Sequence, residues 1–332
     1  MRDGRAPGGS GRVTVVVRLI GLAVSLVFAY VAVRGVDLED AWRAFRESDG
    51  WWILPCLAAL AAGVFVRVVR WLLLFSPETR PGLRPAASAL LIGAFFNNIL
   101  PARAGEIARV VALRQTAGTS RLEALGTVIS ERVYDVLSLL VLLLVALPFL
   151  PEVTWVRATA LSAIVLTLTV VTSLLALARW GERPIQFLMR PLSRLPGFSV
   201  ERTDLGAGSL IRGLTAGRHA RSALGAIAMT ALSWIIFSLS YWFLMLGFHL
   251  QLNLFAGLLV LVATNLAMIV PSSPAALGVF EGATQLALSA YDVEPSVALA
   301  YALVLHFVNF APYVLIGYPI LHRHIRRAGS PR

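Results

Sequence analysis

The sequence predicts an all-α, polytopic helical membrane protein, and three observations carry that reading. Of 332 residues, 58% are hydrophobic and only 14% charged, with a mean hydropathy of +0.76; a soluble domain carries roughly 25% charged residues. Apolar runs long enough to cross a ~30 Å hydrocarbon core recur near 13–33, 51–75, 124–147, 156–178, 222–247, 254–271 and 297–321, with shorter runs near 86–100 and 276–290. Two of these runs are also broken in the same way. Asn97-Asn98-Ile99-Leu100-Pro101-Ala102-Arg103-Ala104-Gly105-Glu106 and Met268 to Glu281 each follow apolar residues, interrupt them with Pro and small residues, and arrive at Gly and then Glu. Irregular backbone at membrane depth survives only inside protein or along a polar cavity. A broken segment in each half is the pattern of a transporter-like substrate site.

Charge sets the expected topology. The formal charge is +11, and every basic residue is Arg. The stretch 179–221 is rich in Arg and belongs in the cytoplasm by the positive-inside rule. The N-terminal segment 1–12 and the tail 322–332 then lie on the same side, with the acidic connections Asp37–Asp49 and Asp292–Glu294 outside. This holds if 86–100 enters and leaves by the cytoplasmic face, since Arg103, Arg109, Arg114 and Arg121 would otherwise sit on the wrong side. The result is one transmembrane domain over 13–321, with about eight crossings and a re-entrant segment, placed in the cell membrane with both termini inside. Residues 1–33 read as a signal anchor, because no small-x-small cleavage site precedes Arg34. Two inverted halves are compatible with the paired breaks, although the likeness covers only about a dozen residues on each side.

Element by element, Leu38, Ala41, Trp42 and Phe45 share one face of a short interfacial helix after the first crossing. Arg67 and Arg70 stand one turn apart near the inner end of the second crossing, where snorkelling to the interface is expected. Cys56, the single cysteine, fits a small core position and allows no intrachain disulfide. Ala86–Phe96 spans about 16 Å as a helix and 276–291 about 22 Å, each less than a bilayer core. Asn97, Asn98 and Pro101 end the first of these.

Three groups of charged residues stand out. Arg103, Glu106 and Arg109 follow the first break at one-turn intervals. A helix starting near Ala102 would add free N–H groups and a positive dipole end, and two guanidiniums there suit a phosphate. Glu131-Arg132-Val133-Tyr134-Asp135 lies about two turns inside a crossing, with Glu131 and Asp135 on one face. Each such charge costs roughly 2.5–3.5 kcal/mol at a helix centre, so partners or water are required. Glu281 follows Pro271, Pro274 and Gly278 in an otherwise apolar segment, and Arg103, Arg109 or Arg132 are its expected partners. His306 and Asn309 share a face of the last crossing, where polar packing is expected ahead of a proton relay. His322 and His324 have no carboxylate or Cys nearby, and neither a metal nor a cofactor is expected.

With these residues on the page, the chain resembles a known family. Phe95 to Arg109, Glu131 to Asp135 and Pro271 to Glu281, in that order, are similar to the transmembrane domain of lysylphosphatidylglycerol synthase, a domain also found alone in flippase-like prokaryotic proteins. The resemblance covers most of 13–321. It implies a helical membrane domain with re-entrant segments that moves lipid headgroups between leaflets. Residues 322–332 leave no room for the aminoacyl-transfer domain of the bifunctional synthase, so lysyl transfer is not expected. Ala275-Ala276 also stands where the family usually has Gly after the second Pro, which weakens the case for close backbone approach to a ligand there.

The function expected is a lipid translocator and not an enzyme. Asn97, Asn98, Arg103, Glu106, Arg109, Glu131, Arg132, Asp135, Pro271, Pro274, Gly278 and Glu281 line a groove at the two broken helices. Its partners are membrane lipids, an anionic phospholipid or lipid-phosphate above all, and no nucleic acid. A homo-oligomer or a partner lipid-modifying enzyme is compatible with this. The alternatives are a non-transporting accessory protein, or a membrane glycosyltransferase using Asp37, Glu39 or Asp40 with a lipid-phosphate donor. No G-x-x-x-x-G-K-[ST] loop is present, which argues against ATP hydrolysis by this chain.

Overall fold

Among the described residues, the longest helices form along continuous apolar runs. The computed structural model describes residues 26–30, 32–100, 104–156, 158, 161–162, 164–165, 168–169, 172, 220–268 and 274–328. No strand occurs among them. In chain order the helices are α1 (Leu38–Glu47), α2 (Ile53–Leu73), α3 (Leu83–Ile99), α4 (Gly105–Ala117), α5 (Arg121–Ala146), α6 (Ala220–Gly247), α7 (Leu254–Ala267), α8 (Val279–Ser289) and α9 (Pro295–Ala328).

Four stretches among the described residues have the length and hydropathy to cross a bilayer: Gly50–Leu73, Arg121–Phe149, Leu224–Gly247 and Pro295–Arg326. That differs from the expected count of about eight. The expected crossings at 13–33 and 156–178 lie largely outside the described residues, as does most of the connection 179–221. The other two are short. α7 ends at Ala267 and α8 begins only at Val279, which leaves them 14 and 11 residues long, or about 21 and 16 Å.

Packing divides the chain into two compact units. The first is drawn from Met1–Leu57, Gly93–Gly105 and Ser238–Pro319. Here Asp37 caps α1 by accepting from the Glu39 N–H at 2.8 Å. The α1 side chains Leu38, Trp42 and Phe45 are exposed while Ala41 is buried, as an interfacial helix requires. Buried donors are satisfied across the unit: the Tyr301 hydroxyl donates to the Tyr241 carbonyl at 2.9 Å, and the Ser240 hydroxyl to the Cys56 carbonyl at 2.9 Å. Cys56 is fully buried, in line with its expected core position. Asn253 caps α7 by accepting from the Ala256 N–H at 3.2 Å.

Both breaks show how irregular backbone is held in this unit. At the first, α3 runs from Leu83 to Ile99, through its expected end at Asn97 and Asn98, and α4 begins at Gly105, later than the expected start near Ala102; Pro101, Ala102 and Arg103 lie outside the described residues. The Asn97 side-chain oxygen accepts from the Gly105 N–H at 2.9 Å, so one donor at the head of α4 is already engaged. At the second, Pro274–Ala276 form a turn before α8, and Pro271 lies outside the described residues. Ala275, Ala276 and Gly278 have φ of 68°, 55° and 81°. Only Gly278 takes this left-handed conformation without cost; each Ala pays roughly 1–2 kcal/mol. The backbone thus adopts a glycine-like path although two alanines occupy it.

The second unit is drawn from Ala58–Ile92, Glu106–Phe237 and Ile320–Arg332. Its core holds Trp71, Leu113, Leu140 and Leu143, all almost fully buried. Gly63 admits the Phe237 ring, since a Cβ would stand 2.7 Å from that ring.

A Cβ at Gly105 would stand 1.9 Å from the Gly93 carbonyl oxygen, whereas nothing lies within 4 Å of one at Gly50. Gly105→Ala is therefore expected to lose at least about 1–3 kcal/mol of stability by overpacking. Gly50→Ala should leave the thermal unfolding midpoint of the detergent-solubilised protein unchanged.

Candidate functional site

The second unit contains a group of charged side chains that water does not reach. On α5, Glu131 and Asp135 are four residues apart and so project from one helical face. Glu131 is 0% exposed and Asp135 5%. On α2, Arg70 (2% exposed) donates through Nη2 to Glu131 Oε1 at 3.0 Å and through Nη1 to Asp135 Oδ1. On α4, Arg109 (6% exposed) pairs with the second oxygen of Glu131. Glu131 thus bridges two guanidiniums from two other helices.

The surroundings orient these groups. The Trp71 indole N–H donates to Thr127 Oγ1 at 3.0 Å, and the Arg109 guanidinium lies 4.7 Å over the Trp71 ring. Such a cation–π contact is worth more when desolvated. Thr230 on α6 offers its hydroxyl oxygen to Arg70 at 3.4 Å while bonding its own helix at the Ala226 carbonyl. Beyond the buried core of the cluster, Arg132 Nε stands 3.0 Å from Glu106 Oε1, and Arg132 Nη1 3.6 Å from Asp135 Oδ2. The Arg132 side chain is 40% exposed and that of Glu106 24%. Arg70, Arg109 and Arg132 are therefore matched by Glu106, Glu131 and Asp135. The Nε donors of Arg70 and Arg109 have no hydrogen-bond partner among the described residues. Chemically, this is a largely dry cluster of interlocked ion pairs with guanidinium donors to spare and one partly open arm.

Most of the expected second group, and part of the first, meet here: Glu106, Arg109, Glu131, Arg132 and Asp135. Arg132 turns away from the Glu131–Asp135 face, as the 100° helical step requires. Arg70 is a correction, because it is buried in ion pairs and does not snorkel. Arg67 does not simply snorkel either; its guanidinium stacks 4.6 Å from the Trp234 and 4.4 Å from the Phe237 ring centroid. Arg70, Trp71 and Thr230 were not legible as site residues. The available signal was two unmatched carboxylates on α5 and an Arg inside another apolar run.

The remaining candidates belong to the first unit. Glu281 has neither Arg109 nor Arg132 as its partner. Its Oε1 lies 2.5 Å from His306 Nδ1, and its Oε2 accepts from the Gly278 N–H at 2.7 Å. The second bond is the reciprocal arm of a capping box, so Gly278 contributes its backbone. Asn97 closes the first break, and Asn98 Nδ2 is buried with no partner among the described residues. Asn309 bonds the Leu305 carbonyl of its own helix at 2.9 Å. Asp37 is engaged as a cap, and Glu39 and Asp40 pair with Arg43 at 4.0 and 3.0 Å. No cluster of three or more His, Cys, Asp or Glu that could hold a metal occurs among the described residues.

An all-α fold with several membrane-length helices and a buried ion cluster on them defines a multi-pass membrane protein. The family model for the lysylphosphatidylglycerol synthase TM region matches residues 18–317, and the chain belongs to that family. It is similar to a UPF0104 membrane protein of Methanothermobacter thermautotrophicus, 26% identical over 313 residues covering 90% of this chain and 91% of that one. It is also similar to a UPF0104 membrane protein of Methanocaldococcus jannaschii, 24% identical over 234 residues covering 67% of this chain and 91% of the relative.

Glu131→Gln would leave Arg70 and Arg109 short of one negative charge in a buried setting, at an expected cost of about 3–5 kcal/mol. The partly exposed Arg132→Gln should cost no more than about 1 kcal/mol. Chemical denaturation in mild detergent would rank the two, and Arg109→Gln added to Glu131→Gln should recover part of the loss.

Proposed function

We propose that this protein is a lipid translocator that recognises a phosphate-bearing headgroup, with an anionic phospholipid or a lipid-phosphate as its cargo. The observation that carries the reading is the pair of spare Nε donors on Arg70 and Arg109, buried in an ion-pair cluster on membrane helices. Buried charge is expensive where apolar packing would serve, and intramembrane ionisable residues mark substrate pathways by default. Arginine offers phosphate two parallel donors and does not lose its charge.

The chemistry follows from competition. Phosphate oxygens and the carboxylates of Glu106, Glu131 and Asp135 seek the same guanidiniums. A headgroup displaces a carboxylate when it binds, and the carboxylate displaces the headgroup when it leaves. Neither exchange strands a bare guanidinium, so binding stays reversible. Arg132 and Glu106, the partly exposed arm, make first contact. Arg103 lies outside the described residues; its place after the first break keeps it as a candidate for the same headgroup. The positive-inside rule applied to 179–221 supports a cell-membrane location with cytoplasmic termini.

The test is movement of labelled phospholipids, anionic against zwitterionic, across liposomes holding the purified protein. The wild type is expected to move the anionic lipid, and Arg132→Gln to slow it by about tenfold, the equivalent of losing roughly 1.4 kcal/mol of headgroup recognition. No movement of any lipid above protein-free liposomes would overturn the reading in favour of an accessory role.

A further inference from the structure

We propose that Glu281 and His306 form a proton-binding site within the first unit, and that lipid movement responds to a proton gradient through it. The coupling rests on the translocator reading above; the proton site does not.

Both side chains are buried, at 6% and 7% exposure. Both oxygens of Glu281 are engaged: Oε2 accepts from the Gly278 N–H, and Oε1 lies against His306 Nδ1. With Glu281 ionised, the pairing puts the hydrogen on Nδ1 and leaves Nε2 as the acceptor of an incoming proton. The dyad is then a single negative charge before uptake and a neutral ion pair after it. The proton goes to Nε2, no bond other than N–H forms, and none breaks. The imidazole ring is held between Phe280 and Phe310, with centroids 4.6 and 5.2 Å away.

The segment 26–34 packs against α8, with Phe28 beside Gly282 and the Ala32 carbonyl accepting from Gln285, and its ionisable residues are Tyr30 and Arg34. Neither α7 nor the rest of α8 contains an Asp, Glu, His, Arg or Tyr. On α9, Tyr301 donates to the Tyr241 carbonyl, and Tyr313 lies two turns beyond His306. A hard metal cation is a poor alternative, because it wants six or more oxygen ligands and the dyad offers two that are already engaged, beside a nitrogen. The site also touches a backbone element able to respond. Glu281 holds the N–H of Gly278, whose φ of 81° follows two alanines in the left-handed region. A change in the charge of the dyad acts directly on the bond that fixes this turn.

The experiment has two arms on the reconstituted full chain. In the first, nitrogen-15 histidine resonances are followed from about pH 5 to about pH 9, the span over which imidazoles titrate. His306 is assigned by its loss in His306→Gln. A His306 signal that changes over this span is expected; one that does not change overturns the proton site. In the second, lipid movement is measured with and without a pH gradient of about one unit. A change of threefold or more is expected in the wild type, and none in His306→Gln, whose amide can still hydrogen-bond to Glu281. Lipid movement indifferent to the gradient in the wild type overturns the coupling and leaves the translocator reading standing. Absence of lipid movement with a titrating His306 overturns the translocator reading and the coupling, and leaves the proton site standing.

Discussion

The second unit depends on one carboxylate. Glu131 is completely buried and bridges Arg70 of α2 and Arg109 of α4, so three helices meet at two oxygens. Apolar packing alone would let these helices slide or rotate with little penalty, since lipid tails are as apolar as a leucine face. A buried ion pair forbids that, because any displacement strands a charge. Its contribution is to register more than to net stability. Trp71 reinforces the point by presenting its ring face to Arg109 and its N–H to Thr127.

Buried polar chemistry is handled differently in the first unit, where backbone irregularity creates the need. The two breaks leave helix ends without partners inside the chain's own ladder. Each is met by a side chain a few residues away: Asn97 for the N–H of Gly105, and Glu281 for the N–H of Gly278. Glu281 then has a second oxygen to satisfy, and His306 meets it. A local capping need and a titratable pair therefore come from the same carboxylate. The left-handed alanines at 275 and 276 store backbone strain next to that carboxylate, and such strain concentrates where a structure is built to change.

Viewed together, the two groups of charge divide the chemistry expected of a translocator. Guanidiniums balanced by carboxylates can trade one anion for another, which suits a headgroup that must be released as well as bound. A carboxylate–imidazole pair can change its charge by one without moving a heavy atom. Both kinds of site lie on apolar helices, in a medium where uncompensated charge is costly.

The sequence alone settled the class of protein and the position of its interruptions. Long apolar runs leave helices as the only spanning form, and Pro and Gly mark the breaks by local chemistry, whereas Asn97 and Asn98 are helical within α3. The shared face of Glu131 and Asp135 was equally legible, since helical periodicity is a local property. Which cations answer those carboxylates was decided by tertiary structure. Arg70 lies 61 residues from Glu131, and His306 lies 25 from Glu281. Charge alone could not separate Arg70 from a snorkelling arginine, nor show that an imidazole would take the place expected of Arg109 or Arg132 at Glu281. Pairing depends on which helix faces pack together, and one-dimensional periodicity fixes the face of each helix but not its neighbour.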